Sequence, residues 1–181
     1  MNSKVLPMIK DVEFSNDVTK LLHKNPTENG LTYYGIYESA HPTWKGWNII
    51  NRYLANTPDI KQCSKILSNV SDLNKMVEDF YKKEFWDKMK LDLVNLEHKQ
   101  LELMCFAIVA GVPTCIKKLQ ELLKVKVDGI IGQFTINALN AYNDVLFDKL
   151  FDKKEIEYTD SLNDAKYGIY KKGWKNRAVL V

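Results

Sequence analysis

Val125-Lys126-Val127-Asp128-Gly129-Ile130-Ile131-Gly132-Gln133-Phe134-Thr135-Ile136-Asn137-Ala138-Leu139-Asn140 is the stretch that decides the fold of this chain. Ahead of it runs a helical pattern with Ile116, Leu119, Leu122 and Leu123 on one face and Leu119-Gln120 at its centre. Asp128-Gly129 reads as a tight turn, because glycine takes positive φ where another residue would strain. Asp128 is expected to hydrogen-bond its own loop there. Gly132 permits a second bend, and Thr135 then opens a helix carrying Ile136, Leu139 and Tyr142 on one face. Helix, paired turn, helix is the reading.

The same periodicity recurs on either side. Trp47 to Leu54 sets Ile49, Ile50, Tyr53 and Leu54 at helical spacing. Ser71 with Asp72 reads as an N-cap, followed by Leu73, Met76, Val77, Phe80 and Tyr81 at three- and four-residue steps, a stripe that faces a core. A third helix runs from about Leu96 to Val109 through Leu101, Met104, Cys105 and Ile108, and Gly111-Val112-Pro113 ends or kinks it. The last long helix is expected from about Asn143 to Lys171. Residues 1 to about 48 are rich in Asn, Pro, Gly and Thr and read as loops and short helices, with a short β-hairpin near Leu31 to Tyr37. The fold class is mainly α.

Composition narrows the function classes. With 181 residues the chain can bury a sizeable core, and a net charge of +3 is far below the basic density of a nucleic-acid binder. That weak charge favours an anionic polymer slightly. Cys63, Cys105 and Cys115 are odd in number and lack a CxxC spacing, so they read as buried structural thiols. His23, His41 and His98 are too scattered for a metal site, and no cofactor is implied. No stretch approaches the ~20 apolar residues that span a membrane. Met1 to Pro7 lacks an apolar core of the secretory type, so the expectation is synthesis in the cytosol, with action elsewhere only after release.

The central stretch resembles the repeat of peptidoglycan-binding domains, "LQ…VDGIIG..T..ALN", and so points to the bacterial cell wall. Asn25-Pro26-Thr27-Glu28-Asn29-Gly30-Leu31-Thr32-Tyr33-Tyr34-Gly35-Ile36 resembles the "DPxDPGGxTxxGI" segment of glycoside hydrolase family 108, a group of phage-type lysozymes. Glu13-Phe14-Ser15-Asn16-Asp17 is similar to that family's catalytic "EGGYxND" box with the two glycines deleted. Phe80 to Lys88 resembles its "YxxxYWD" helix, and Gly173-Trp174-Lys175-Asn176-Arg177 matches its C-terminal "GWxNR". The stretch Val18 to Lys24 reads as an insertion, and the family's second acidic position falls on Glu28, one methylene longer than the usual Asp.

The resemblance implies a lysozyme-like helical part over residues 1–95 and a helical peptidoglycan-binding-like part over 96–181, packed on it as one compact unit. It implies a muramidase that cleaves the β-1,4 bond between N-acetylmuramic acid and N-acetylglucosamine, from a phage or prophage endolysin acting as a monomer. Peptidoglycan strands are the implied partner, with neither nucleic acid nor membrane insertion. Such hydrolysis needs one carboxylic acid to protonate the leaving oxygen and a second carboxylate or a held water across the sugar. By motif position Glu13 is the acid, Glu28 the second carboxylate, and Thr32 the holder of the attacking water. Val12 and Phe14 flank Glu13 with the apolar surroundings that keep an acid protonated.

Tyr33, Tyr34, Trp44 and Trp47 are the candidate sugar-stacking rings. Residue chemistry alone leaves other roles open: Glu13 can pair with Lys10 on a surface, Glu28 can sit in a turn, Thr32 can pair a strand, and the tryptophans can fill a core. Two further functions also remain, a wall-binding module with a degenerate site and a wall-remodelling accessory of a secretion or tail machine.

Overall fold

A computed structural model describes Pro7, Ile9, residues 16–24 and residues 29–177. Among these, eight helices accompany one small sheet, the mainly α architecture expected. The chain divides into two compact units, Asn2–Tyr81 and Lys82–Val181.

The first unit is organised by a three-stranded antiparallel sheet of β1 (Leu22–His23), β2 (Thr32–Tyr33) and β3 (Ile36–Tyr37) in sequential order. Leu22 pairs with Tyr33, and Tyr33 with Ile36. The hairpin joining β2 to β3 is Tyr34-Gly35, both at positive φ (50° and 76°), as a type I′ turn requires. Tyrosine is an unusual occupant of that conformation. Tertiary contacts hold it: the Tyr81 hydroxyl donates to Tyr34 O at 2.5 Å, and Tyr34 N–H donates to Leu21 O at 2.9 Å.

Three helices complete this unit: α1 (Gly46–Asn56), α2 (Ile60–Leu67) and α3 (Ser71–Tyr81). α1 and α3 follow the stripes read from sequence, burying Ile50 and then Leu73, Val77 and Tyr81. Asn74 N–H bonds to Val70 O, so Ser71 is the first helical residue of α3 and not its cap. α2 is an addition to the sequence reading. Asp59 caps it, accepting from Gln62 N–H at 2.7 Å, and Cys63, Ser64 and Leu67 face inward. Ser64 ties it to the sheet, accepting from Leu22 N–H at 2.9 Å and donating to Val18 O at 2.6 Å.

In the second unit a π turn (Lys82–Trp86) and a 3₁₀ turn (Leu91–Leu93) lead into α4 (Glu97–Ala110), α5 (Val112–Leu123), α6 (Gln133–Ala141), α7 (Asp144–Ser161) and α8 (Asp164–Arg177). Residues 91–95, ahead of the 95/96 division drawn from sequence, lie in this unit, where Gln100 donates to Leu91 O and Val94 O and Asn140 bonds Leu93 O and Asn95 N–H. Gly111, at φ 82°, separates α4 from α5 as expected. The single helix expected from Asn143 to Lys171 is two. Leu162 is extended, Asn163 caps the new helix by accepting from Ala165 N–H at 2.8 Å, and Lys171 donates back to the Asp160 and Leu162 carbonyls at the end of α7.

Among the described residues, the core of this unit carries one buried cation. Lys99 on α4 is wholly buried, and its Nζ donates to Leu139 O (3.1 Å) and Tyr142 O (2.8 Å) and meets Asp144 at 2.7 Å. It thereby gives a second donor to Leu139 O, which also accepts from Tyr142 N–H at 3.2 Å, and satisfies the Tyr142 carbonyl just beyond α6. Cys63, Cys105 and Cys115 are buried thiols, as expected. No described helix is long and apolar enough to cross a membrane.

Candidate active site

Glu13 and Glu28, expected as the acid and the second carboxylate, lie outside the described residues. Their flanks are visible. The "ND" end of the box, Asn16-Asp17, is a turn: Asn16 has φ 56°, and Asp17 Oδ1 accepts from Thr19 N–H at 3.0 Å and from its hydroxyl at 2.6 Å. Those bonds, with Lys20 beside them, hold the Asp17 carboxyl below its ordinary range.

An open cleft of about 630 Å³ lies in the first unit, lined by Lys24, Asn29, Gly30, Leu31, Glu38, Leu54, Pro58 and Ile60. Lys24 and Asn29, the described residues on either side of 25–28, both line it. Its lining mixes the apolar Leu31, Leu54, Pro58 and Ile60 with a carboxylate, an amine and an amide. That mixture suits a sugar, which offers apolar ring faces and polar edges.

Glu38 is the carboxylate of this cleft, and it fixes the loop rather than standing clear of it. Its Oε2 accepts from Leu31 N–H at 2.9 Å, and its backbone N–H donates to Leu31 O at 2.8 Å. Gly30 makes room for it: at φ 98°, a Cβ there would lie 2.9 Å from Glu38 Oε2. Sequence reading held Glu38 only in reserve, as an alternative to Glu13 for the acid. The only signal was its place after β3, where strand pairing brings it back onto Leu31.

Thr32 pairs with both neighbouring strands and is only 2% exposed. Tyr33, Tyr34 and Trp47 are buried as well, at 0%, 2% and 4%. Burial pushes the Tyr33 phenol far above its ordinary range, with Tyr34 and Cys63 adding to it, and burial raises Tyr34 to about 12. Both rings therefore hold their protons at neutral pH. Trp44 is partly exposed and packs edge-on against Trp47 (5.2 Å between centroids) and Phe80 (6.4 Å). Trp47 Nε1 donates to His41 O at 2.8 Å. None of these four rings is among the cleft's lining residues. The structure brings Thr32, Tyr33 and Tyr34 together in one hairpin and gathers Trp44 and Trp47 in a separate aromatic cluster with Phe80 and His41. Among the described residues no group of His, Cys, Asp and Glu could hold a metal.

The decisive stretch of sequence is a second built feature, in the other unit. Gln120, 1% exposed, clamps the turn with its whole amide. Its Oε1 accepts from Asp128 N–H (3.1 Å) and Gly129 N–H (2.8 Å), and its Nε2 donates to Asp128 Oδ1 (2.9 Å) and Ile130 O (3.0 Å). Asp128 also accepts from Ile130 N–H at 3.0 Å, so it serves its own loop as read from sequence. Gly129 is at φ 73°, the conformation inferred. Gly132, at φ −102°, needs no glycine; it precedes α6, which begins at Gln133 and leaves Thr135 buried inside the first turn.

Two family models match the chain, one over each of these features. Residues 22–111 match the family model "Glycosyl hydrolase 108", a span that holds Glu28, Thr32 and Glu38 and begins after Glu13. Residues 114–179 match a family described as "Predicted Peptidoglycan domain", which contains the Gln120 clamp and its turn. No curated protein matches the chain by sequence. Among solved structures, Brucella abortus SagA has a similar fold, with a TM-score of 0.67 at 21% identity over 97% of this chain and 88% of that one. With the hydrolase match over the cleft and the peptidoglycan match over the clamped turn, the chain belongs to the glycosyl hydrolase 108 family and is a glycoside hydrolase acting on peptidoglycan.

Proposed function

We propose that the protein is a muramidase, hydrolysing the β-1,4 bond between N-acetylmuramic acid and N-acetylglucosamine. The observation that carries this reading is the open cleft lined by Lys24, Asn29, Glu38 and Ile60, which lies within the hydrolase match. Glu13 protonates the glycosidic oxygen as the bond to the anomeric carbon breaks. Glu28 stabilises the oxocarbenium-like centre or takes the proton of the incoming water. The apolar side chains of Leu54, Pro58 and Ile60 receive a sugar face.

The protein works as a monomer in phage or prophage lysis. It is made in the cytosol and reaches the wall after release by a holin-type pore. The missing glycines of the Glu13 box favour a second reading, a wall-binding module that has lost turnover.

Digestion of purified peptidoglycan, with the products reduced by borohydride and weighed by mass spectrometry, separates these. A muramidase yields reduced muramic ends. Reduced glucosamine ends or anhydro-muramic ends would replace it by a glucosaminidase or a transglycosylase, and no new ends would leave the binding module.

A further inference from the structure

Three large apolar side chains stand exposed between the clamped turn and the first residues of α6: Val127 (46%), Ile130 (69%) and Phe134 (88%). Single exposed hydrophobics are ordinary, but a group held together is not. The Gln120 amide explains why they are held. Its Nε2 reaches Asp128 Oδ1, Ile130 O and, at 3.4 Å, the Thr135 hydroxyl, so residues 128–135 wrap one buried atom. Thr135 and Ile136 turn inward, at 4% and 2% exposure, and leave Phe134 outside.

Two lysines stand at the turn and a third precedes it in the chain. Lys117 runs beside Gly129, its Cε 3.2 Å from where a Cβ would stand there. Lys124, at φ 54°, ends α5, and Lys126 lies in the turn itself, 3.6 Å from the Asp128 carboxylate. All three are exposed.

We propose that the Val127–Ile130–Phe134 tip is the docking surface for a peptidoglycan strand. Phe134 packs on the apolar face of an N-acetylated pyranose, Val127 and Ile130 cover its neighbour, and the lysines meet the carboxylates of the stem peptides. This rests on the peptidoglycan reading of residues 114–179 and assigns it a surface. Charge complementarity selects the occupant: peptidoglycan presents apolar ring faces and carboxylates in one repeat, whereas a second copy would bring another set of ammonium groups against these.

The test is co-sedimentation of the full chain with purified, insoluble sacculi in the cold, with melting temperature as the control for folding. Phe134→Ser is expected to weaken pelleting about tenfold at an unchanged melting temperature. The double variant Lys117→Glu, Lys126→Glu is expected to weaken it and reduce its salt dependence. Val145→Ser, equally apolar and 77% exposed beyond the far end of α6, is expected to change nothing. Pelleting that survives both Phe134→Ser and Ile130→Ser overturns the proposal. So does loss of flotation with phosphatidylglycerol vesicles, or of self-association, in the same variants while sacculus binding persists. If wild type pellets through Phe134 yet creates no new glycan ends, the hydrolase reading fails and the docking surface stands.

Discussion

Glu38 and Leu31 are joined twice, by the carboxylate accepting the Leu31 amide at 2.9 Å and by the Glu38 amide donating to the Leu31 carbonyl at 2.8 Å. The first bond is made by a side chain and can be removed alone. Glu38→Ala leaves the Leu31 N–H without its carboxylate acceptor, at a cost of about 1–2 kcal/mol. That lowers the melting temperature by a few degrees and kcat by about tenfold through loss of loop order, whereas Glu38→Gln keeps an acceptor oxygen and recovers most of both. Steady-state kinetics on soluble glycan fragments reads the difference. Equal kcat in Glu38→Ala and wild type would remove the loop from the reaction.

Glu13→Gln tests the acid. It keeps the shape and removes the transferable proton, so turbidity loss of a peptidoglycan suspension is expected to slow by about 10²-fold or more, with unchanged thermal unfolding. Undiminished lysis would move the acid's role to Glu28 or Glu38.

The Gln120 clamp predicts stability effects separable from chemistry. Gln120→Leu strands the Asp128 and Gly129 amides and is expected to cost about 2–3 kcal/mol. Gly129→Val places a β-branched residue at positive φ, expected to cost about 1–3 kcal/mol. Because both act on one turn, the double variant should lose less than the sum. Chemical denaturation followed by tryptophan fluorescence measures this. Strict additivity would mean that the clamp and the glycine act independently.

Glu102 on α4 and Glu155 on α7 predict a pH dependence. Both are buried, each with an Oε1 that has no hydrogen-bond partner. Burial first, then Glu155, Asp152 and Asp148, push Glu102 up to about 10; burial and then Asp152 push Glu155 up to about 9. The folded chain therefore keeps two protons that the unfolded chain releases near its ordinary carboxyl range. Their contribution to stability is full below about pH 4.5 and declines as pH rises towards 9–10. Glu102→Gln cannot ionise in either state, so it should raise the melting temperature at pH 8 and leave it nearly unchanged at pH 4. A variant less stable at both pH values would contradict this account.

Much of the fold was legible because its signals are local. The stripes of α1 and α3, the Gly111 break and the Asp128-Gly129 turn each follow from residues within a few positions of one another. The α7–α8 break was hidden because Leu162-Asn163 carries neither glycine nor proline, and the cap at Asn163 works only with Lys171 closing the other side. α2 was hidden by its shortness, with Asp59 as its one local mark. The site was least legible, since Glu38 reaches Leu31 only after β2 and β3 pair, and Tyr33 and Tyr34 gave no sign that tertiary packing would bury them, whereas Trp47 takes the core role that its sequence left open.

The Tyr34-Gly35 hairpin also limits how this chain can change in length. Two residues span the turn, and strand side chains alternate between faces, so one inserted or deleted residue between Thr32 and Ile36 would exchange the inner and outer faces of a strand. Ile36, now wholly enclosed, would have to take the exposed side that Tyr37 occupies. Growth and shrinkage are confined to the connections beyond the sheet, and the spacing from Thr32 to Ile36 is held by geometry alone.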